Sequence, residues 1–501
     1  MHTLRFSLII LLSISGYCSQ AQRKIRNRDT ICLVQINDIY EISPLQNGRV
    51  GGIARIAQFI DDCEKRYPTH VFVAGDFLSP SVMGTATVSG ERLSGRQMID
   101  GLNAIGVDYV TFGNHEFDIG EAALQKRINE SRFTWFSGNV FRSDGSVFER
   151  QADGNVDPFP ASVKIRSPRN RFGIRLFAVT LPSNTPAYTR FTSYDSALQA
   201  FLQQRPRRRM VDMGLTHLSA AEDQELLRKY PRIRLIMGGH EHEHMYIAAG
   251  AGHVAKADAN GKTVYRHLIW KDKGKGISIR SELVRMDESI PQKTEIVERV
   301  SNWERAVYDA FRKQGLEPER KVCTITDTLR GTEASIRYGQ NNLGAMITGS
   351  LDMKDEADAA FINSGAIRID DDVTGGITEL DVIRIMPFGN KIVEVNMKGT
   401  LLEKILLAND SRKGLGGYLQ LDARIRMTAD KIYIGDRLLE ANRDYRIRTV
   451  EFLLSGKELK LEYLTDKNPE ISSVKPVNDE SGKPLDLRLA FIRRLKERYG
   501  G

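Results

Sequence analysis

Cysteine is scarce, with four in 501 residues, and one of them, Cys18, sits in the N-terminal apolar stretch. The three others, Cys32, Cys63 and Cys323, are an odd number, which argues against a disulfide framework. Cys32 lies inside the strand-like run TICLVQI. Cys63 continues the apolar face of Ile53, Ile56, Ala57 and Ile60. Both read as small core residues, not as nucleophiles or metal ligands. Long apolar runs are absent too: nothing approaches the ~20 residues that a membrane span needs. The stretch Phe6 to Ile14 follows Arg5 and precedes small and polar residues, with Ser19 and Ala21 at a small-x-small site. It reads as a secretory signal over residues 1–21, ahead of a secreted or periplasmic protein. A membrane anchor and a lipid-modified Cys18 are the competing readings. The first is too short, and the second has Tyr17 where a small residue belongs. There is no internal repeat and no low-complexity tract. The net charge of +8 favours anionic ligands. Yet the one basic cluster, Arg205–Arg209, has no aromatic interleaving and no binding module around it, so it reads as a solvated loop and not as a nucleic-acid site.

About 480 residues would remain after the signal, which suits two domains. Strand-like runs alternate with amphipathic helices from Asp29 to Val284, as in TICLVQI, then VGGIARIAQFIDDCEKR, then HVFVAG. At the ends of these runs stand NDIYE (Asn37–Glu41), GD (Gly75–Asp76), GNHEFD (Gly113–Asp118), THL (Thr216–Leu218) and GGHEHEH (Gly238–His244). Asp, Asn and His side chains at the ends of successive strands converge on one sheet edge, where α/β sites form. Mixed oxygen and nitrogen donors, with one carboxylate free to bridge, suit a pair of divalent ions.

These strings resemble the calcineurin-like metallophosphoesterase signature and, more narrowly, the 5'-nucleotidase family. The resemblance covers nearly the whole chain beyond the signal. It implies an N-terminal four-layer α/β/β/α metallophosphoesterase sandwich over 28–286, a linker helix within 287–317, and a C-terminal α/β 5'-nucleotidase-type substrate domain over 318–501. By match to the family strings, Asp38, Asp76 and His242 would hold one divalent ion. Asp76 would bridge to a second, held by Asn114, His217 and His240; Zn, Mn, Co and Mg are all admissible. His240 and His242 lie two apart at a strand end, so alternation would turn both to one face. His244 continues the alternation and reads as a supporting residue, not a ligand. His115 and Asp118 match the catalytic dyad, in which the acid orients the imidazole. Glu116 reads as a structural polar group. One position departs: where the family shows D-x-H, Asp38 is followed two residues on by Tyr40, and a neutral phenol is a poor ligand for a divalent ion.

In the second half, RYGQNNLG resembles R-x-x-E-x-x-L-G, with Gln340 for Glu. NSGAIR resembles N-G-G-G-I-R, with Ser364 and Ala366 for glycines. The resemblance assigns Arg337 and Arg368 to substrate phosphates, for which a planar guanidinium fork is suited, and Asn363 to the same pocket. Phe388 in MPFGN and Phe452 in EFLLSGKE match a pair that clamps a base, a contact tolerant of base identity. Core packing is the competing reading for each. Glu458 stands where a shorter Asp would contact ribose. The implied activity is hydrolysis of nucleotide phosphate esters by metal-bound hydroxide. A cyclic-nucleotide or nucleotide-sugar phosphodiesterase and a nucleotide-binding protein with a weakened metal site are the rivals. The implied partner is a nucleotide or another small phosphate ester. The sequence does not give the oligomeric state.

Overall fold

Period-2 alternation in the strands decides which face of the sheet each side chain serves, and in the first half of the chain it builds two sheets that share one core. The structure, a computed structural model, describes residues 29–46, 48–204, 209–272, 276–428 and 431–500. The expected signal over 1–21 and residues 205–208 of the basic cluster lie outside the described residues. The chain forms two units that divide between Ala306 and Val307.

In the first unit, one sheet has the order β12-β11-β1-β2-β3-β4. Its strands are β1 (Thr30–Ile36), β2 (Thr69–Val73), β3 (Tyr109–Val110), β4 (Thr134–Trp135), β11 (Thr263–Asp272) and β12 (Gly276–Arg285). β1 to β4 are parallel, β11 runs antiparallel beside β1, and β12 runs antiparallel beside β11. The second sheet has the order β5-β6-β7-β8-β10-β9. It comprises β5 (Ser162–Arg166), β6 (Gly173–Thr180), β7 (Met210–His217), β8 (Ile233–Gly238), β9 (Met245–Ala249) and β10 (Gly252–Lys256), with β6, β7, β8 and β10 parallel.

Ile31, Leu33 and Phe72 from the first sheet pack against Ile174, Leu176, Met213, Leu215 and Met237 from the second. The alternate residues Phe177 and Val179 face the other way, onto Leu198 and Phe201 of α4 (Tyr194–Gln203) and Leu226 and Leu227 of α5 (Ala220–Lys229). On the outer face of the first sheet, α1 (Ile53–Glu64) packs against β2 and buries Ile56, Ile60 and Cys63. Further along the chain, α2 (Arg96–Ala104) and α3 (Glu121–Glu130) follow β2 and β3. The layers are therefore α/β/β/α. Cys32, Cys63 and Cys323 are free and buried.

α6 (Thr294–Arg312) falls within the expected linker, 287–317, and carries an apolar stripe. Pro291 precedes it, and Gly315 follows with φ 84°, a backbone that ends a helix. Its stripe is buried at Ile296, Val300 and Val307, and Trp303 Nε1 donates to Asp100 at 2.9 Å. The boundary between the units falls inside this helix.

The second unit holds a five-stranded sheet in the order β17-β14-β18-β16-β19. These strands are β14 (Ala359–Asn363), β16 (Ile392–Lys398), β17 (Leu419–Leu421), β18 (Asp444–Val450) and β19 (Ile471–Pro476). A separate antiparallel pair joins β13 (Lys321–Leu329) and β15 (Val373–Thr378). Its helices are α7 (Glu333–Tyr338), α8 (Asn342–Leu351), α9 (Glu379–Ile385), α10 (Gly399–Leu407) and α11 (Leu487–Tyr499). The apolar face of α11, with Leu487, Phe491 and Leu495, docks on α8 and β13 within this unit. No helix among the described residues is long and apolar enough to cross a membrane.

Candidate metal centre

The loops that follow β1, β2 and β8 bend sharply, and they do so at polar residues. Asp38, Asp76, His240 and His242 have φ of 50°, 56°, 92° and 60°. Positive φ is uncommon outside glycine and costs about 1–3 kcal/mol per residue, so the surrounding structure must hold these positions. Two glycines make the close approach possible. A Cβ on Gly113 would lie 2.1 Å from Asp76 Oδ1, and one on Gly239 would lie 2.5 Å from the Ala74 carbonyl oxygen.

Potential ligand atoms of Asp38, Asp76 and His242 all lie within 4.8 Å of one another. His217, fully buried, brings Nε2 to 3.2 Å from Asp76 Oδ2 and 4.0 Å from Asp38 Oδ1. Its Nδ1 donates to the Ala74 carbonyl at 2.7 Å, so in the neutral ring the Nε2 lone pair faces the carboxylates. The His240 ring stands edge-on to His217 at 5.4 Å, and the backbone N–H of His240 donates to Asp38 Oδ2 at 2.9 Å. His217 Nε2 and Asn114 Oδ1 are buried without a hydrogen-bond partner. Orphaned buried acceptors in a cluster of carboxylates and imidazoles are what a cation would satisfy, so the residues present fit divalent metal.

The electrostatics agree. Burial pushes the Asp38 carboxyl up. Burial acts in the same sense on Asp76, but the His217 and His115 charges hold it below the usual carboxylate range. For His217 burial opposes the charged ring, yet the Asp76 and Asp38 carboxylates beside it lift it to about 9. The carboxylate charge that lifts His217 would also attract cations.

Tyr40 stands among these groups. Its hydroxyl lies 3.0 Å from Asp76 Oδ2 and 3.1 Å from His242 Nε2. His115 is held at both ends: its N–H donates to Asp76 Oδ1 at 2.8 Å, and its Nδ1 lies 2.8 Å from Asp118 Oδ2. Asp118 is itself oriented by Ser79 Oγ at 3.2 Å and by Asn184 Nδ2 at 2.8 Å, and the same Asn184 amide reaches the Asn114 carbonyl at 3.2 Å. Glu116 is fully buried. Its carboxylate accepts from the N–H groups of Asp76, Phe77, Leu78 and Gly113, tying the turn after β2 to the turn after β3. Burial, then the Asp76 charge, push it up to about 7 against those four donors.

Two expectations change in their cause. β8 ends at Gly238, so strand alternation does not aim His240 and His242; their positive-φ loop does. His244 leaves the cluster: it is exposed and pairs with Asp258 at 3.0 Å. The sequence reading passed over Asn184 and Ser79. Neither belongs to a recognisable string, and only the fold brings them to Asp118.

In the second unit, the ion pair of Arg337 with Glu333 holds it along α7. Arg368 follows the turn after β14, its N–H bonded to the Ile385 carbonyl at 2.8 Å. Asn363 Nδ2 donates to Glu458 Oε2 at 2.7 Å, and Asn363 Oδ1 is buried without a partner. Burial raises Glu458, while Asn363, Arg337 and Arg412 act to lower it. Phe388 and Phe452 are 44% and 37% exposed, which excludes core packing for both. Their segments are joined, since Glu451 N–H donates to the Lys391 carbonyl at 3.1 Å. Gln340 accepts from Leu421 N–H and donates to the Leu419 carbonyl, a two-way contact with β17 that a carboxylate could not make.

Comparison with known proteins agrees with this geometry. Residues 33–244 match the calcineurin-like phosphoesterase model, and residues 321–465 match the 5'-nucleotidase C-terminal domain. Protein UshA of Yersinia enterocolitica is 22% identical over 81% of this chain and 82% of its own length. The 5'-nucleotidase of Bos taurus is 25% identical over 90% of this chain and 84% of its own. The 5'-nucleotidase precursor from Thermus thermophilus superposes with a TM-score of 0.72 at 21% identity, covering 94% of this chain and 97% of that one. The chain belongs to the 5'-nucleotidase family of the calcineurin-like metallophosphoesterases and is a metal-dependent phosphoric ester hydrolase.

Proposed function

We propose that this protein is a secreted or periplasmic hydrolase of nucleotide phosphate esters that works with two divalent ions. Its catalytic domain would span 28–286 and its substrate domain 318–501, joined through 287–317. The observation that carries the reading is the convergence of Asp38, Asp76 and His242 within 4.8 Å, with the buried His217 Nε2 3.2 Å from Asp76 Oδ2. Asp38, Asp76 and His242 would hold one ion; Asn114, His217 and His240 would hold the other, with Asp76 shared. Bound there, the pair supplies Lewis-acid polarisation of a phosphoryl oxygen and acidifies a water near neutral pH.

The chain's own groups do the rest. The His115 ring is oriented through Nδ1 by Asp118, which leaves Nε2 to stabilise the transferring phosphoryl group or to protonate the leaving oxygen. Arg368 and Arg337 meet phosphate oxygens in the planar, two-pronged manner of guanidinium. Phe388 and Phe452 stack on the base, Asn363 lines the same pocket, and Glu458 meets the ribose. Turnover should be screened over nucleoside mono-, di- and triphosphates, cyclic nucleotides, nucleotide sugars and an aryl phosphate. Mn²⁺, Zn²⁺, Co²⁺ and Mg²⁺ would each be supplied. Preference for a nucleoside phosphate over the aryl ester supports the reading. Turnover confined to cyclic nucleotides or nucleotide sugars would replace it, and no turnover with any metal would end it.

A further inference from the structure

The histidine loops need an anchor. His217 closes β7, while His240 and His242 stand beyond β8 in neither helix nor strand, both at positive φ. Behind them lies Lys256, the last residue of β10, only 1% exposed. Its ammonium donates to the Leu218 carbonyl at 2.6 Å, to the Gly239 carbonyl at 2.7 Å and to the Glu241 carboxylate, and it lies 3.0 Å from Asp223 Oδ2. Each acceptor adjoins a candidate ligand. Leu218 follows His217, Gly239 precedes His240, and Glu241 stands between His240 and His242. Asp223, on α5 and fully buried, also accepts from Thr216 Oγ1 at 2.8 Å, one residue before His217. Glu241 further accepts from the N–H of Ala220 at the start of α5.

A buried ammonium is costly unless paired and fully hydrogen-bonded, and this one meets both conditions. Burial works against its charge, but Asp223 and Glu241 outweigh that and raise it. The packing leaves no slack: a Cβ added to Gly238 would sit 2.9 Å from both Lys256 Cε and Asp223 Oδ2. One ammonium with two carboxylates leaves one negative charge behind the ligands, the sign that favours cations in front of them.

We propose that Lys256, clamped by Asp223 and Glu241, is the positioning residue that sets His217, His240 and His242 for metal binding. It touches neither substrate nor metal, and the proposal rests on the two-metal reading above. Lys256→Met in the full chain tests it. Chelator-stripped protein is titrated with Mn²⁺, followed by calorimetry and by electron paramagnetic resonance for the spin-coupled pair. The expected result is a roughly 10–100-fold weaker second Mn²⁺, the usual scale for groups behind metal ligands. The coupled signal should fade at wild-type Mn²⁺ levels, and excess Mn²⁺ should restore kcat with KM unchanged. Unchanged Mn²⁺ affinities and spectrum overturn the proposal, even if the variant melts earlier, because then the cluster serves stability alone. If Lys256→Met does not fold, Glu241→Gln, which spares the two carbonyl bonds, is read the same way. It should weaken Mn²⁺ several-fold, and no weakening overturns the proposal. Wild-type protein that binds fewer than two Mn²⁺ would sink the two-metal reading instead, while Lys256→Met would still be judged on the ion that remains.

Discussion

Acid should weaken this fold through a single buried imidazole. His267, in β11, is fully buried and hydrogen-bonded on both nitrogens: Nδ1 to Ser281 Oγ at 2.8 Å, Nε2 to Gln35 Oε1 at 3.0 Å. The Gln35 amide donates onward to the Gly238 and Ala255 carbonyls, bracing the first sheet against the second directly behind the histidine loop. No carboxylate pairs with the ring among its hydrogen-bond partners, and burial pushes it down to about 3 from an ordinary 6.5. A depressed histidine means that the unfolded chain binds the proton and the native protein does not. The contribution is therefore intact above pH 6.5 and is lost as pH falls from 6.5 toward 3. One pKa unit is 1.36 kcal/mol, so the full loss is about 5 kcal/mol, and the share lost between pH 7 and pH 5 is about 2 kcal/mol. The assay is urea unfolding of chelator-treated wild type and His267→Gln at both pH values. Other titrations, those of the metal ligands included, are common to the two proteins and cancel in the difference of differences. Wild type should lose about 2 kcal/mol more than the variant. Equal losses would refute the reasoning and show that the ring is protonated, or reached by water, at no cost.

The metal centre and the substrate unit carry the other expectations. Asp76→Ala should remove both ions, as measured by metal analysis of the purified protein. His115→Ala should keep them and slow turnover by roughly two to four decades; a His115→Ala protein stripped of metal would place that ring among the ligands. Tyr40→His should tighten one ion in a metal titration, because imidazole donates while a phenol does not until it ionises. No change would mean that the hydroxyl serves only Asp76 and His242. Phe388→Ala and Phe452→Ala should weaken nucleotide hydrolysis by about 1–3 kcal/mol and spare an aryl phosphate, whereas Arg368→Ala should hurt both, with Lys restoring part. Equal effects of the phenylalanine variants on both substrates would remove the base-stacking role.

Much was legible in the chain because the information is local. The near-continuous apolar runs TICLVQI and IRLIMGG mark buried strands, and GNHEFD and GGHEHEH place donors where strands must end. The period of the pattern needs no distant partner to be read. The same locality explains what was missed. Strand alternation offered a reason for His240 and His242, but their aim comes from loop backbone that the Gly239–Ala74 approach imposes. Asn184, Ser79 and Lys256 carry no sequence signal, since an asparagine in a loop or a lysine at a strand end is ordinary until its neighbours are known. A lysine is ordinarily solvated, yet Lys256 is 1% exposed, because α5 and two loops converge on it. Residue order over a few positions is enough for the strand-like runs, the family resemblance and the candidate donors. Which donors meet, which nitrogen of His217 faces Asp38 and Asp76, and what holds the loops in strained backbone are set by the three-dimensional fold. Those depend on distances between residues tens to hundreds of positions apart, which the packing of sheets, loops and α5 sets together.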